Sequence, residues 1–134
     1  MSKDFGTALK AGGIRVTPQR TAVYRVFSAP DIHLSVEDVY EAVKKEISNI
    51  SLATVYSILD TFTRIGVLSE VHIDGSRIYY ELRKCGHHHF MCTVCGSIYD
   101  VEIPLCGTLK KGEIQGHKIE TFQGYFYGTC SRCR

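Results

Sequence analysis

Residues 87–95 read His87-His88-His89-Phe90-Met91-Cys92-Thr93-Val94-Cys95, and a second cysteine pair is formed by Cys130 and Cys133. Imidazoles abutting a Cys-x-x-Cys pair concentrate soft and borderline metal ligands in one short run. Each pair can chelate one ion from a tight turn, and Gly96 suits the reversal after the first. Cys92, Cys95, Cys130 and Cys133 together would give a closed tetrahedral zinc site. Such a site stabilises folding and leaves no open position for a substrate. A redox dithiol or a disulfide is the competing use of the same residues.

His87 and His89, two positions apart on an extended segment, are expected to share one face. Two imidazoles with a carboxylate nearby suit a borderline divalent ion. Asp100 lies on the next expected strand, returning beside the histidines. Glu81 lies on the strand before them and His33 in a loop further upstream. Two nitrogens with two or three oxygens would suit Fe2+, Mn2+ or Zn2+. His88 is expected to point the other way, at the surface. His72 and His117 read as ordinary surface or core histidines. Cys85 and Cys106, left over by the zinc reading, are expected to be small buried hydrophobes.

These ligands need a scaffold, and the pattern supplies an α+β one. A short helix ends at Gly12-Gly13. Thr17-Pro18 is an N-cap with proline at the first helical position, starting a helix that runs to about Phe27, with Val23, Val26 and Phe27 inward. Ala29-Pro30-Asp31 breaks it. Ser35 with Asp38 forms a capping box for a helix whose apolar stripe is Val36, Val39, Tyr40 and Val43. Ser51 starts another helix, with Leu52, Val55, Leu59 and Phe62 inward and Ala53, Thr54, Tyr56, Ser57 and Asp60 outward. Gly66 ends it. Leu68–Ile73 and Arg77–Leu82 read as strands joined at Asp74-Gly75.

Helices followed by a β-hairpin are the layout of a winged helix, whose third helix enters the major groove while the wing touches the backbone. The break at residues 83–86 places a boundary between a winged-helix DNA-binding domain, 1–83, and a small α/β domain, 84–134. In the latter, Ser97–Ile103 and Lys118–Tyr127 are expected strands, with a helix between Leu105 and Gln115.

The 134 residues suit one ordinary domain or two small ones. Apolar and charged residues, 44% and 22%, are in soluble globular proportions. No 18-residue apolar window suggests a membrane span, and the start of the chain lacks the apolar segment of a signal peptide. A cytoplasmic location is expected, and in that compartment such cysteine pairs favour metal over disulfides. Net charge is only +2. Its distribution is uneven: residues 1–30 carry Lys3, Lys10, Arg15, Arg20 and Arg25 against Asp4 alone. A basic surface of that kind suits phosphate.

The set Arg15-x-Thr17-Pro18-Gln19-Arg20, His33, Ser51-Leu52-Ala53-Thr54-Val55-Tyr56, Tyr80-Glu81-Leu82, His87-x-His89-x-x-Cys92-x-x-Cys95-Gly96 and Tyr127-Gly128-x-Cys130-x-x-Cys133 resembles the ferric uptake regulator (Fur) family over essentially the whole chain. The resemblance implies a metal-dependent repressor that binds a palindromic double-stranded operator as a homodimer. It implies structural zinc at the four cysteines and a regulatory metal, Fe2+ or Mn2+ with Zn2+ possible, at His33, Glu81, His87, His89 and Asp100. It implies DNA contacts from Arg15, Gln19, Arg20, Ala53, Thr54, Tyr56, Ser57 and Arg77. Tyr56 would meet a thymine methyl, Arg15 the minor groove, and Gln19, Arg20 and Arg77 the phosphates.

Departures sharpen the expectation. Ser57 stands where relatives often carry Arg or Asn. Phe122 stands where many relatives carry a histidine of an additional metal site, so no third site is expected. Asp100 matches the peroxide-sensing branch, in which a ligand histidine, here His33 or His87, is oxidised and repression is lost. Glu81 matches the iron-sensing branch instead. Enzymatic readings are poorly served. A zinc hydrolase or deaminase needs an open metal position and a general base, and neither His-x-Glu beside a cysteine pair nor His-Glu-x-x-His occurs. A thiol oxidoreductase needs a βαβ context that the sequence lacks.

Overall fold

In the computed structural model, which describes residues 3–29, 31–84, 86–104 and 106–134, the helix signals of the first half act where the sequence puts them. Helix α1 (Lys3–Ala11) ends at Gly13, whose φ of 71° lets Ile14 N–H return to the Leu9 carbonyl. Thr17 Oγ1 accepts from Arg20 N–H at the start of α2 (Pro18–Val26). Ser35 and Asp38 exchange side-chain and backbone bonds in both directions, a complete capping box for α3 (Val36–Lys44). Ser51 caps α4 (Leu52–Arg64). That helix closes with Gly66 at φ 81°, Val67 N–H reaching the Phe62 carbonyl and Gly66 N–H the Thr63 carbonyl.

The chain divides into two compact units, Met1–Arg83 and Lys84–Arg134. In the first, β1 (Leu34–Ser35), β3 (Arg77–Leu82) and β2 (Leu68–Asp74) form an antiparallel sheet in the order β1-β3-β2. One apolar core gathers Phe5 and Leu9 of α1, Val23 and Phe27, Val39 and Val43, Val55, Leu59 and Phe62 of α4, and Leu68. Phe5 stacks on Tyr24 at 4.0 Å and meets Phe62 edge-on at 5.6 Å, fixing α1 against α2 and α4. The core side of α4 begins at Val55. Leu52, expected inward, is 44% exposed. Residues 51–54 are all exposed, so this first turn projects beyond the surface the helix packs on.

The second unit is built differently. Its main sheet has the order β5-β4-β8, from β4 (His88–Cys92), β5 (Ile98–Val101) and β8 (Tyr125–Gly128). Strand β5 runs antiparallel to β4 and β8 parallel to it. The helix expected over residues 105–115 is reduced to α5 (Gly107–Lys111). Gly112 takes a left-handed conformation and ends it. The expected strand 118–127 splits. Its beginning pairs as β7 (His117–Lys118) with β6 (Glu113–Ile114) across a turn in which Gln115 and Gly116 both have positive φ. Only Tyr125–Gly128 joins the main sheet.

Cys106, expected buried, is exposed at the residue before α5. Pro30, Cys85 and Leu105 lie outside the described residues. Among the described residues of this unit, the buried members of the apolar class are Cys92 and Cys130. The second unit therefore depends on its cysteines where the first depends on Leu, Val and Phe. No helix among the described residues is long and apolar enough to cross a membrane.

Candidate metal centres and nucleic-acid face

The first Cys-x-x-Cys pair sits in the turn between β4 and β5, and the second follows β8. Parallel pairing of β4 with β8 aligns Cys92 with Gly128 and brings the two turns together. One sulfur from each of Cys92, Cys95, Cys130 and Cys133 lies within 4.8 Å of the others, with Cys95 and Cys130 3.9 Å apart. A tetrahedral zinc with sulfurs at about 2.3 Å separates them by roughly 3.8 Å, so the cluster has the size of its ion.

Backbone N–H groups already serve it. Those of Cys130 and Cys95 point at the Cys92 sulfur, at 3.3 and 3.5 Å, and hold that thiol below its usual range. Cys130 is drawn down to about 6, chiefly by a hydrogen bond from the Tyr99 hydroxyl. Cys133 is pushed up to about 12 because it hydrogen-bonds the sulfurs of Cys130 and Cys95. In size and in its four-sulfur composition the cluster fits a structural zinc site.

The other candidate ligands occur as one set in each unit. In the second unit, the β4–β5 register sets His89 directly opposite Asp100. His87 precedes β4 and turns its ring to the same side, 4.7 Å from that of His89. His87 Nε2, His89 Nε2 and Asp100 Oδ1 make a triangle with sides of 3.2, 3.6 and 3.7 Å. Donor atoms about 2.1 Å from a divalent ion stand roughly 3.0–3.4 Å apart, so slight contraction would let this triangle cap one. The Lys84 ammonium pairs with the other carboxylate oxygen, Oδ2.

In the first unit, the β1–β3 register pairs Leu34 with Tyr80 and, carried one residue on, sets His33 opposite Glu81. Strand alternation sends Tyr80 into the apolar core and Glu81 to the other face. Glu81 is only 4% exposed, and its Oε2 lies 3.0 Å from His33 Nε2. A buried carboxylate held against an imidazole is a ready two-ligand fragment.

His88 corrects an expectation. It is buried, not at the surface: its Nδ1 accepts from Gly124 N–H at 3.0 Å and its ring lies 4.9 Å from that of Phe122. The Gly124 carbonyl accepts from His89 N–H in turn. The segment entering β8 covers the face to which alternation sends His88, and a Cβ on Gly124 would come within 3.3 Å of the imidazole. His72 and His117 are exposed, and His72 pairs with Glu70 at 2.8 Å.

On the first unit, Thr17, Gln19 and Arg20 of the α2 start and Ala53, Thr54 and Ser57 of α4 line an open groove of about 410 Å³. Arg15 and Arg77 are exposed, and Tyr56 is 54% exposed. Two of these residues also have structural tasks. The Thr54 hydroxyl lies 2.8 Å from the capping Ser51 Oγ, and the Arg20 guanidinium donates to the Arg15 carbonyl. Three polar residues escaped the sequence reading: Lys84 at Asp100, and Tyr99 and Arg132 at the zinc cluster. Alternation along β5, with Asp100 on one face and Tyr99 on the other, was the available signal for Tyr99.

Residues 11–126 match the model of the ferric uptake regulator family. The peroxide-responsive repressor PerR of Staphylococcus aureus is 29% identical over 134 residues, covering 95% of this chain and 87% of its own. The ferric uptake regulator of Francisella tularensis, solved with iron, superposes with a TM-score of 0.78 at 29% identity, covering 90% of this chain and 95% of that one. The Vibrio cholerae ferric uptake regulator, in which a rearrangement of the DNA-binding domains was seen, gives 0.74 at 28% identity over 95% and 100% of the two chains. The architecture is a winged helix followed by a small dimerisation-type domain with a four-cysteine zinc site, and the chain belongs to the ferric uptake regulator family.

Proposed function

We propose that the protein is a transcriptional repressor that binds palindromic operator DNA as a homodimer when a regulatory Fe2+ or Mn2+ is held by His33, Glu81, His87, His89 and Asp100. The observation that carries this reading is the division of the ligands. The winged-helix unit offers a buried His–carboxylate pair, and the zinc-fastened unit offers a His–His–carboxylate triangle. Each set leaves a first-row ion short of ligands, and together they give three nitrogens and two oxygens. An ion satisfied only by both sets favours one arrangement of the two units through differential binding. In a dimer that arrangement would space two α4 helices to meet half-sites on one face of DNA.

The α4 face fits this use. Tyr56 and Ser57 are exposed for base edges, with Ala53 and Thr54 beside them, and Gln19, Arg20 and Arg77 are placed for phosphates. Strand β8 lies at a sheet edge with Phe126 and Tyr127 39% and 56% exposed, a surface suited to a second copy of the chain. No residue is assigned a catalytic role, since the zinc is closed by four sulfurs and the second donor set serves sensing. A cytoplasmic location accords with reduced thiols and a DNA target.

Asp100 and the S. aureus relative favour peroxide as the signal. Bound Fe2+ would supply the electrons that activate peroxide beside the imidazoles. His33 or His87 would then gain an oxygen and lose its place as a ligand, and repression would end. Response to iron alone, or to Zn2+ on the same donors, is the alternative reading. Treating the Fe2+ form anaerobically with peroxide and mapping peptides separates them. A gain of one oxygen at His33 or His87 with loss of DNA binding supports peroxide sensing. Unmodified histidines in protein that keeps its DNA contradict it.

A further inference from the structure

Asp100 presents its two carboxylate oxygens to different partners. Oδ1 faces the imidazoles, 3.7 Å from His87 Nε2 and 3.6 Å from His89 Nε2. Oδ2 is in an ion pair with the ammonium of Lys84, in the segment that leads into β4. All four residues belong to the second unit. The Asp100 side chain is only 11% exposed, that of Lys84 42%. A carboxylate taken so far out of water calls for compensation, and a compact ammonium on a flexible stem reaches it from the solvent side. The pairing also bears on metal binding. A carboxylate can serve a metal ion through one oxygen or through both. A positive charge seated on Oδ2 repels a divalent ion from that oxygen and leaves Oδ1, on the imidazole side, as the donor.

We propose that Lys84 confines Asp100 to a single donor oxygen, Oδ1, and so sets the coordination number and the choice of ion at the regulatory site. The inference rests on the regulatory metal proposed above and is independent of peroxide. Lys84 acts through Asp100, as a positioning residue and not as a ligand. With Asp100 giving one oxygen, the donors are three imidazole nitrogens and two carboxylate oxygens. Such a nitrogen-rich set suits Zn2+ and Fe2+ better than Mn2+, which favours octahedral sites dominated by oxygen. Lys84 therefore works against manganese. Its charge alone would weaken every divalent ion alike. The loss of an oxygen donor weakens most the ion that wants more of them. The ratio of two affinities separates these effects.

The test uses the full-length chain with its cysteine site loaded with zinc. Affinities of the second site for Mn2+ and Zn2+ are measured by competition with a metal-binding indicator, and Co2+ is added separately as a spectroscopic probe. Lys84→Met keeps the stem and removes the charge. The ratio of Mn2+ to Zn2+ affinity should rise about tenfold, the low end of effects seen for outer-shell partners of metal ligands. The d–d absorption of bound Co2+ should weaken, as it does when a further oxygen brings the ion to octahedral coordination. Lys84→Arg restores the charge and should return both readings toward wild type. A ratio within about twofold of wild type in Lys84→Met overturns the proposal, even where both ions bind more tightly, since that marks charge alone. An unchanged Co2+ spectrum overturns it too. Should Lys84→Met fail to fold, Lys84→Gln carries the same expectations and the same limits. Wild-type protein that takes up no second ion sinks the regulatory site itself, whereas one that binds it, with the ratio unmoved by the substitution, sinks the role of Lys84 alone.

Discussion

His89 and Asp100 are a directly opposed cross-strand pair, Nε2 3.6 Å from Oδ1, with His89 1% exposed. A ladder position fixes this contact, so the donor geometry is set by strand pairing and not by a mobile loop. His89→Ala should abolish metal-dependent operator binding, while zinc content and the dimer are retained, because the cysteines stand at the far end of β4 and in the turns beyond the strands. The checks are anisotropy with a duplex selected from a random-sequence pool, metal analysis and sedimentation. Wild-type DNA binding by this variant would remove His89 from the regulatory site.

Removing the zinc is expected to act on folding before function. Cys92 is fully buried, receives two backbone hydrogen bonds and has little apolar core around it. Cys92→Ser should lose zinc and unfold residues 84–134, while the apolar core of residues 1–83 keeps its helices. Hydrogen exchange resolved by segment tests this. Uniform unfolding of both units, or none, would contradict the division of stabilising forces.

The capping box of α3 offers a stability prediction close to a metal ligand. Ser35 is fully buried, bonds Asp38 in both directions and lies two residues from His33. Ser35→Ala should cost about 1–2 kcal/mol, the upper half of the N-cap range, in denaturant unfolding. It should also weaken the regulatory metal by freeing the His33 segment. A loss below a few tenths of a kcal/mol would show that the box is dispensable.

Legibility differs between the two units for a physical reason. Thr17, Ser35 with Asp38, Ser51 and Gly66 are local signals: the first three start helices and Gly66 ends one, where their chemistry says. Residues 102–124 obey no such rule. Left-handed Gly112 cuts the expected helix short, the turn at Gln115 and Gly116 pairs the start of the expected strand with β6 instead of the main sheet, and a cysteine cluster stands where apolar periodicity would give the signal. The sulfur cluster could be read from spacing, and the Asp100 partnership from a hairpin around the first cysteine pair. His88 could not: alternation correctly turned it from the metal side, but only the fold reveals that residues 122–124 cover that other face.

Tyr56 separates base reading from phosphate contact. Tyr56→Ala should weaken operator binding by about 1–3 kcal/mol with an unchanged thermal midpoint, since the ring is largely exposed. Arg77→Ala should weaken binding to all sequences alike and lower the salt slope by about one. Equal salt slopes for wild type and Arg77→Ala would remove the wing from the phosphate contacts.

At the wing tip, Asp74 Oδ1 accepts from Ser76 N–H and Oγ–H, at 3.0 and 2.8 Å, which lowers its pKa below the usual carboxylate value. A carboxylate depressed in the folded state stabilises above its unfolded pKa and loses that contribution as pH falls through the folded one. The stability difference between wild type and Asp74→Ala should therefore be full at neutral pH and shrink below about pH 4. A difference independent of pH would assign the effect to turn geometry.

The most direct test of the central claim counts metals while watching DNA. Protein prepared anaerobically should hold one zinc per chain that survives mild chelation, plus a second equivalent of Fe2+ or Mn2+ that exchanges. Operator binding should appear and vanish with that second equivalent alone. A single metal equivalent under all conditions, or DNA binding indifferent to the second metal, would contradict the account.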